Sequence, residues 1–231
     1  MIDTLSEFFS EYGNLFIEGT RDSLLMIFIS TFFSYVIGLP LGVLVTITAT
    51  DSIISPSKIK VIVNAVLGWI VNIGRSMPFI ILMVALMPFT RNIVGTATGV
   101  KGAIIPLVIA AAPFVARLVE SSLMEIDEGL IEVAHATGST VPQIVFKVLL
   151  PEGRPSILMG VPITLITLFG YSAMAGVVGA GGLGDIALRY GFYRYQDDVM
   201  IFTIVLLVIL VQCVQSAGTF IVRKSDRRIR R

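Results

Sequence analysis

The chain is 231 residues long, 55% hydrophobic and only 14% charged, with a mean hydropathy of +0.89 and a formal net charge of +1. Soluble domains carry about 25% charged residues, so the composition excludes an ordinary soluble globule and points to an integral membrane protein. The near-neutral charge gives no hint of nucleic-acid binding, and the one cysteine, Cys213 in an apolar run, excludes an intramolecular disulfide framework and carries no metal pattern.

Residues 1–22 are acidic, with Asp3, Glu7, Glu11, Glu18 and Asp22 against Arg21 alone. Without a basic n-region or a small-residue cleavage pattern, no cleaved signal peptide is expected. The first span, 23–50, carries no charge and exceeds the roughly 20 residues a crossing helix needs. Gly38-Leu39-Pro40-Leu41-Gly42 inside it predicts a kink, tolerable where neighbouring helices satisfy the freed backbone groups. Asp51 to Lys60 is a polar turn. The second span, 61–90, is apolar apart from Asn64, Asn72 and Arg75; it is long for one straight helix, and Pro78 is expected to bend or break it. A Gly/Thr-rich loop follows to Gly102. The third span, 102–117, contains Pro106 and Pro113 and reaches full length only by borrowing flanking residues. The fourth, 155–181, is free of charge; Asp185 to Asp198 is a polar, aromatic loop; the fifth span is 199–222, before a tail with six basic residues. The expected fold is all-α, a single transmembrane domain over 1–231 with five spans.

Between the third and fourth spans, residues 122–151 form the only long charged segment. A first short helix is expected from Ser122 to Thr137. Gly138 stands where a helix end favours positive φ. Thr140 and Gln143 have capping-box spacing for a second helix, with Pro142 in its first turn. Pro151 is expected to stop that helix, because the residue before a proline avoids the α region. The result is a helix–turn–helix elbow suited to pressing against another protein.

Glu132-Val133-Ala134, Gly138 and Leu150-Pro151 resemble the Glu-Ala-Ala loop of bacterial ABC-importer permeases, with the spacing intact; Val133 and Val148 replace an Ala and an Ile of that pattern. The resemblance implies that the elbow, through Glu132, Ala134, Gly138, Leu150 and Pro151, docks on a cytoplasmic ATPase and couples it to the membrane helices. The alternative for the segment alone is an ordinary amphipathic interfacial helix. His135, the only histidine, sits beside the motif in a solvated or interface position rather than a chemical one. Charge supports the placement. With the carboxyl end inside, the inner loops hold Lys58, Lys60, Arg117, Lys147, Arg154 and the six tail residues, against Arg21, Arg91, Lys101, Arg189 and Arg194 outside. The positive-inside rule therefore favours the N-terminus outside and the C-terminus in the cytoplasm.

Arg75 is the one charge well inside an apolar stretch, where ionisable groups are costly and face an interior or a watery cavity. Arg75-Ser76-Met77-Pro78 also resembles the Arg-x-x-Pro of amino-acid ABC permeases. Arg75 either meets a substrate carboxylate or gating acid, or makes a structural pair where the helix breaks. Thr164, Thr167, Tyr171 and Met174 share one face of the fourth span; with Ser172 beside them they line a path or gate, or bond between helices.

Several chemistries are disfavoured. Gly179-Ala180-Gly181-Gly182-Leu183-Gly184 matches a dinucleotide fingerprint on paper, but it follows a span-length apolar block and leads into a polar loop, so close packing or a hinge explains it better. Gly170-Tyr171-Ser172-Ala173 resembles the serine motif of rhomboid proteases, but Ala173 stands where that family needs Gly and no histidine lies on another span. No Lys follows a Gly anywhere, which excludes a P-loop. An ion-driven carrier would often show an internal repeat and intramembrane acids; no repeat is visible, and the acids lie in loops and termini.

Across nearly the whole chain, through residues 75–91, the elbow to Glu152 and residues 163–184, the sequence resembles the permease subunits of bacterial methionine ABC importers. The resemblance implies the type I ABC-importer permease architecture and a bacterial inner-membrane location. It also implies pairing with an identical copy, two cytoplasmic ATPases that bind and hydrolyse ATP, and an extracytoplasmic methionine-binding lipoprotein. This chain would then be a transport subunit and not an enzyme. The alternative within that class is a permease for another amino acid or small zwitterion.

Overall fold

The computed structural model describes residues 2–49, 53–54 and 57–225. Among these the chain is helical: α1 (Ile2–Ala49), α2 (Lys58–Ser76), α3 (Phe79–Val94), α4 (Gly99–Met124), α5 (Glu128–Ala136), α6 (Val141–Ile144), α7 (Leu150–Ala175), α8 (Gly182–Ile186) and α9 (Asp197–Ser225). Five helical stretches are long and apolar enough to cross a membrane: Phe8–Ala49, Lys58–Ser76, Gly99–Met124, Val141–Val178 and Asp197–Val222. The last residues of the basic tail and most of the turn after α1 lie outside the described residues.

The borders differ from the sequence expectation where proline and aspartate decide them. The apolar run 61–90 is two helices. Met77 is extended, with φ −80° and ψ 127°, and Pro78 caps α3 at φ −58° and ψ 128°. A residue before proline is driven out of the α region, so the break falls at Met77. The crossing-length piece is α2, and α3 is a separate apolar helix of 16 residues. α4 takes in both of its prolines and runs seven residues past 117, because Arg117 pairs with Glu120 one turn on and keeps the charged turn helical. α1 continues unbroken through Pro40. The expected loop 185–198 is largely helical, with a wide π turn at Ala187–Phe192 and α9 starting at Asp197.

The chain forms two compact units, to which α1, α4, α7 and α9 each contribute. One comprises Met1–Thr31, Pro78–Val108 and Leu165–Gln215. Its core is Phe16, Leu183, Ile186 and Val199, and the ring of Phe16 lies 4.5 Å from that of Phe202. Here the glycine-rich turn does its work. Gly179, Gly181 and Gly182 have φ of 76°, 80° and 77°, and a Cβ on Gly184 would stand 2.4 Å from the carbonyl oxygen of Ala173. The buried Ser23 accepts a hydrogen bond from the Leu183 N–H at 2.9 Å and so caps α8. Left-handed turns at Gly179, Gly181 and Gly182, and close packing at Gly182 and Gly184, are what these glycines permit.

The other unit comprises Phe32–Met77, Ile109–Thr164 and Ser216–Arg231. α1 and α4 touch there: a Cβ on Gly38 would lie 2.7 Å from the Ala112 carbonyl oxygen, and one on Gly42 2.5 Å from that of Ala116. The Gly-Leu-Pro-Leu-Gly run therefore serves helix contact. Val43, Val115, Val119, Leu123 and Ile157 build a core on which the elbow rests.

Candidate functional site

The elbow is built by three local devices. Asp127 starts α5, its side chain accepting from the Gly129 N–H at 2.7 Å. This overturns the expected helix 122–137: Ser122 to Met124 belong to α4, and a turn at residues 125–127 separates the two. Aspartate favours an N-cap over a helix interior because its carboxylate bonds free N–H groups. At the other end of α5, Gly138 has φ 78°. Its N–H donates to the His135 carbonyl at 2.8 Å, and that of Ser139 donates to the Ala134 carbonyl at 3.0 Å. These are the two bonds of a Schellman ending. Thr140 and Gln143 then form the expected capping box, with the Thr140 N–H donating to Gln143 Oε1 at 2.8 Å.

Pro151 does not stop the second elbow helix. α6 passes into a π turn at Val145–Leu149, where the Leu150 N–H reaches the Val145 carbonyl, and α7 carries on through Pro151 and Pro155. A proline ring collides with the carbonyl four residues before it; the i→i+5 turn relaxes that contact, and the helix continues. π turns of this kind often mark functional places.

The elbow's inner face is apolar. Ile131, Ala134, Ile144, Val145 and Leu149 join the core of this unit, with Val148 and Leu150 half-buried against it. Glu132, His135, Gly138, Gln143, Lys147 and Pro151 are exposed. Of the five motif positions, Ala134 and Leu150 thus face inward and Glu132, Gly138 and Pro151 outward. Sequence reading places Val133 in the motif without showing that it faces outward and does not single out Phe146; both are large, apolar and exposed, and a short polar segment shows no periodicity long enough to separate an outer apolar residue from an inner one. A 340 Å³ cavity lies at the base of the elbow, lined by acidic Glu125, Asp127 and Glu152 and by Ser156; the Ser156 hydroxyl donates to Glu125 Oε2 at 3.4 Å.

The residues of the fourth span fall in different surroundings. Thr164 is fully buried and donates to the Gly160 carbonyl at 2.9 Å, while Ser172 is buried and donates to that of Phe169 at 2.9 Å. Each hydroxyl bonds to its own helix, and that of Thr164 also pairs with the Tyr35 hydroxyl of α1. Tyr171 stacks on Phe79, with centroids 4.6 Å apart and planes 3° from parallel. Thr167 is half-buried, and Met174 is 49% exposed. Arg75 is exposed in the last turn of α2, with no ion pair among the described residues. Of the whole stripe, only Met174 presents a largely open side chain.

The chain belongs to the family of binding-protein-dependent transport system inner membrane components, whose pattern matches residues 38–231. It is 48% identical over 226 residues to the probable D-methionine transport system permease protein MetI of Vibrio cholerae, covering 98% of this chain and 99% of that protein. To the D-methionine transport system permease protein MetI of Escherichia coli it is 54% identical over 162 residues, 70% of this chain and 73% of that protein. A solved structure of the MetNI methionine ABC transporter in an inward-facing conformation matches with a TM-score of 0.89 at 52% identity, covering 94% of this chain and 99% of that one. The fold is the all-α architecture of type I ABC-importer permeases.

Proposed function

We propose that this chain is the membrane permease of an ATP-driven importer that brings methionine, in its L- and D-forms, into the cytoplasm by alternating access. The observation that carries the reading is the identity of nearly half along almost the full length of a D-methionine permease. The chain works as one transmembrane domain over 1–231, paired with an identical copy, since a two-ATPase engine needs two elbows. ATP is bound and hydrolysed in two cytoplasmic partner subunits, and a methionine-binding lipoprotein delivers cargo from outside. The N-terminus is outside and the C-terminus inside, so the elbow meets the ATPases in the cytoplasm. Glu132, Ala134, Gly138, Leu150 and Pro151 form or hold the coupling surface, and Tyr171, Ser172, Met174, Thr164, Thr167 and Arg75 border the path or gate. ATP binding draws the ATPases together, moves both elbows and opens the path outward; hydrolysis returns it.

The test is purification of the tagged chain with its associated proteins, followed by reconstitution into liposomes. ATP-dependent uptake of labelled methionine, with a nucleotide-binding subunit at about one copy per permease, is expected. Uptake of a different amino acid in the same assay would keep the importer and replace its cargo. Uptake driven by an ion gradient from the chain alone would overturn the proposal in favour of a secondary carrier.

A further inference from the structure

The motif positions that point inward cannot be the surface the elbow offers to a partner. Ala134 is 8% exposed and Leu150 half-buried, whereas Val133 is 64% and Phe146 70% exposed. Phe146 is the most exposed phenylalanine among the described residues. It leaves the π turn beside exposed Lys147, while Val145 and Leu149 of the same turn are buried in the core and hold it outward.

Two environments could cover such a ring, lipid or protein, and the residues around it separate them. The exposed face of α9 has Ile201, Ile204, Val205, Val208 and Ile209, and no charge interrupts Val199 to Val222, as lipid contact requires. The exposed elbow has Glu132, His135, Gln143 and Lys147 around its apolar side chains. One large aromatic on a polar surface is the composition of a protein interface, and aromatic anchors of this kind dominate binding energy.

We infer that Phe146 is the anchor that seats the elbow in the nucleotide-hydrolysing subunit, with Val133 as a second apolar contact. Ala134, Gly138 and Leu150 act behind them, holding the elbow in shape. The inference rests on the function proposed above and adds to it which side chains make the contact. It also predicts that the principal contact lies outside the motif: substitutions at Phe146 alter partner retention while the elbow stays folded.

The experiment uses the full-length chain co-expressed with its own ATPase subunit. Phe146→Ala should reach the membrane at the wild-type level, because its side chain takes no part in the core. It should retain the ATPase roughly ten- to a hundredfold less well; Phe146→Tyr should restore retention, and Val208→Ala on the α9 face should change nothing. A photo-crosslinking amino acid at position 146 should give a permease–ATPase product. Equal retention by Phe146→Ala, or a crosslink to lipid or to a second permease in place of the ATPase, would overturn the anchor while leaving the importer reading intact. If the wild-type chain brings no nucleotide-binding subunit at all, the importer reading fails and the anchor with it.

Discussion

Gly138 allows the elbow's turn to be perturbed with little else disturbed. Its φ is 78°, and a Cβ at this position would meet nothing within 4 Å. The cost of a substitution therefore comes from the backbone and not from packing. An L-residue in the left-handed region costs about 1–2 kcal/mol, and a β-branched one is a genuine outlier there. Gly138→Val should lower the population of correctly turned elbow by roughly five- to thirtyfold. Gly138→Asn should do much less, because asparagine visits this region readily. Gly138→Asp shares that tolerance but places a carboxylate just past the C-terminus of α5, where the helix dipole disfavours negative charge; it should leave the protein in the membrane and uncouple ATP hydrolysis from uptake. The assay is methionine uptake per ATP hydrolysed in proteoliposomes, with membrane abundance as the control. Uptake by Gly138→Val at the wild-type level, or an Asn variant as impaired as the Val variant, would refute the conformational reasoning. Full coupling in Gly138→Asp would remove the elbow's docking role.

Other positions give independent tests. Gly42→Leu pushes side-chain atoms into the Ala116 carbonyl and Val119; overpacking of this kind costs about 1–3 kcal/mol, so the detergent-solubilised protein should unfold at a clearly lower temperature, and an unchanged transition would disprove the close approach of α1 and α4. Ser23→Ala leaves the Leu183 N–H without its acceptor in a buried place. A loss of about 1–3 kcal/mol is expected, read as faster amide exchange at Leu183, and exchange at the wild-type rate would rule out the cap. Arg75→Gln removes an exposed charge with no ion pair among the described residues. Stability should stay within about 0.5 kcal/mol while uptake falls; a large drop in unfolding temperature with normal uptake would make Arg75 structural.

Much of the elbow was legible because its signals are local. A glycine at a helix end, a Thr–Gln pair at capping distance and a proline in a first turn act over a few residues, and the described φ and hydrogen bonds follow them. The number of crossing stretches was legible for a related reason. Lipid imposes a length and an exclusion of charge on each segment separately, so composition along the chain reports it. Local signals that compete were read less well. Asp127 falls inside the helix expected from Ser122 to Thr137, although it is the cap that starts α5. A stop is expected at Pro151, yet one wide turn before it lets the helix run on.

The sequence by itself determined the class of environment, the all-helical fold and the existence and turn chemistry of the elbow, because these depend on composition and on interactions within a few residues. Only the tertiary structure decided which side chains face out. Thr164 and Ser172 share a helix with exposed Met174 but bond to their own backbone in buried surroundings. Gly38 and Gly42 flank Pro40 yet serve a helix more than seventy residues away in the chain. Ala134 lies inside and Phe146 outside because α5 and the π turn share one core with α4. Burial depends on what packs against a residue, and in this chain those partners are distant in sequence.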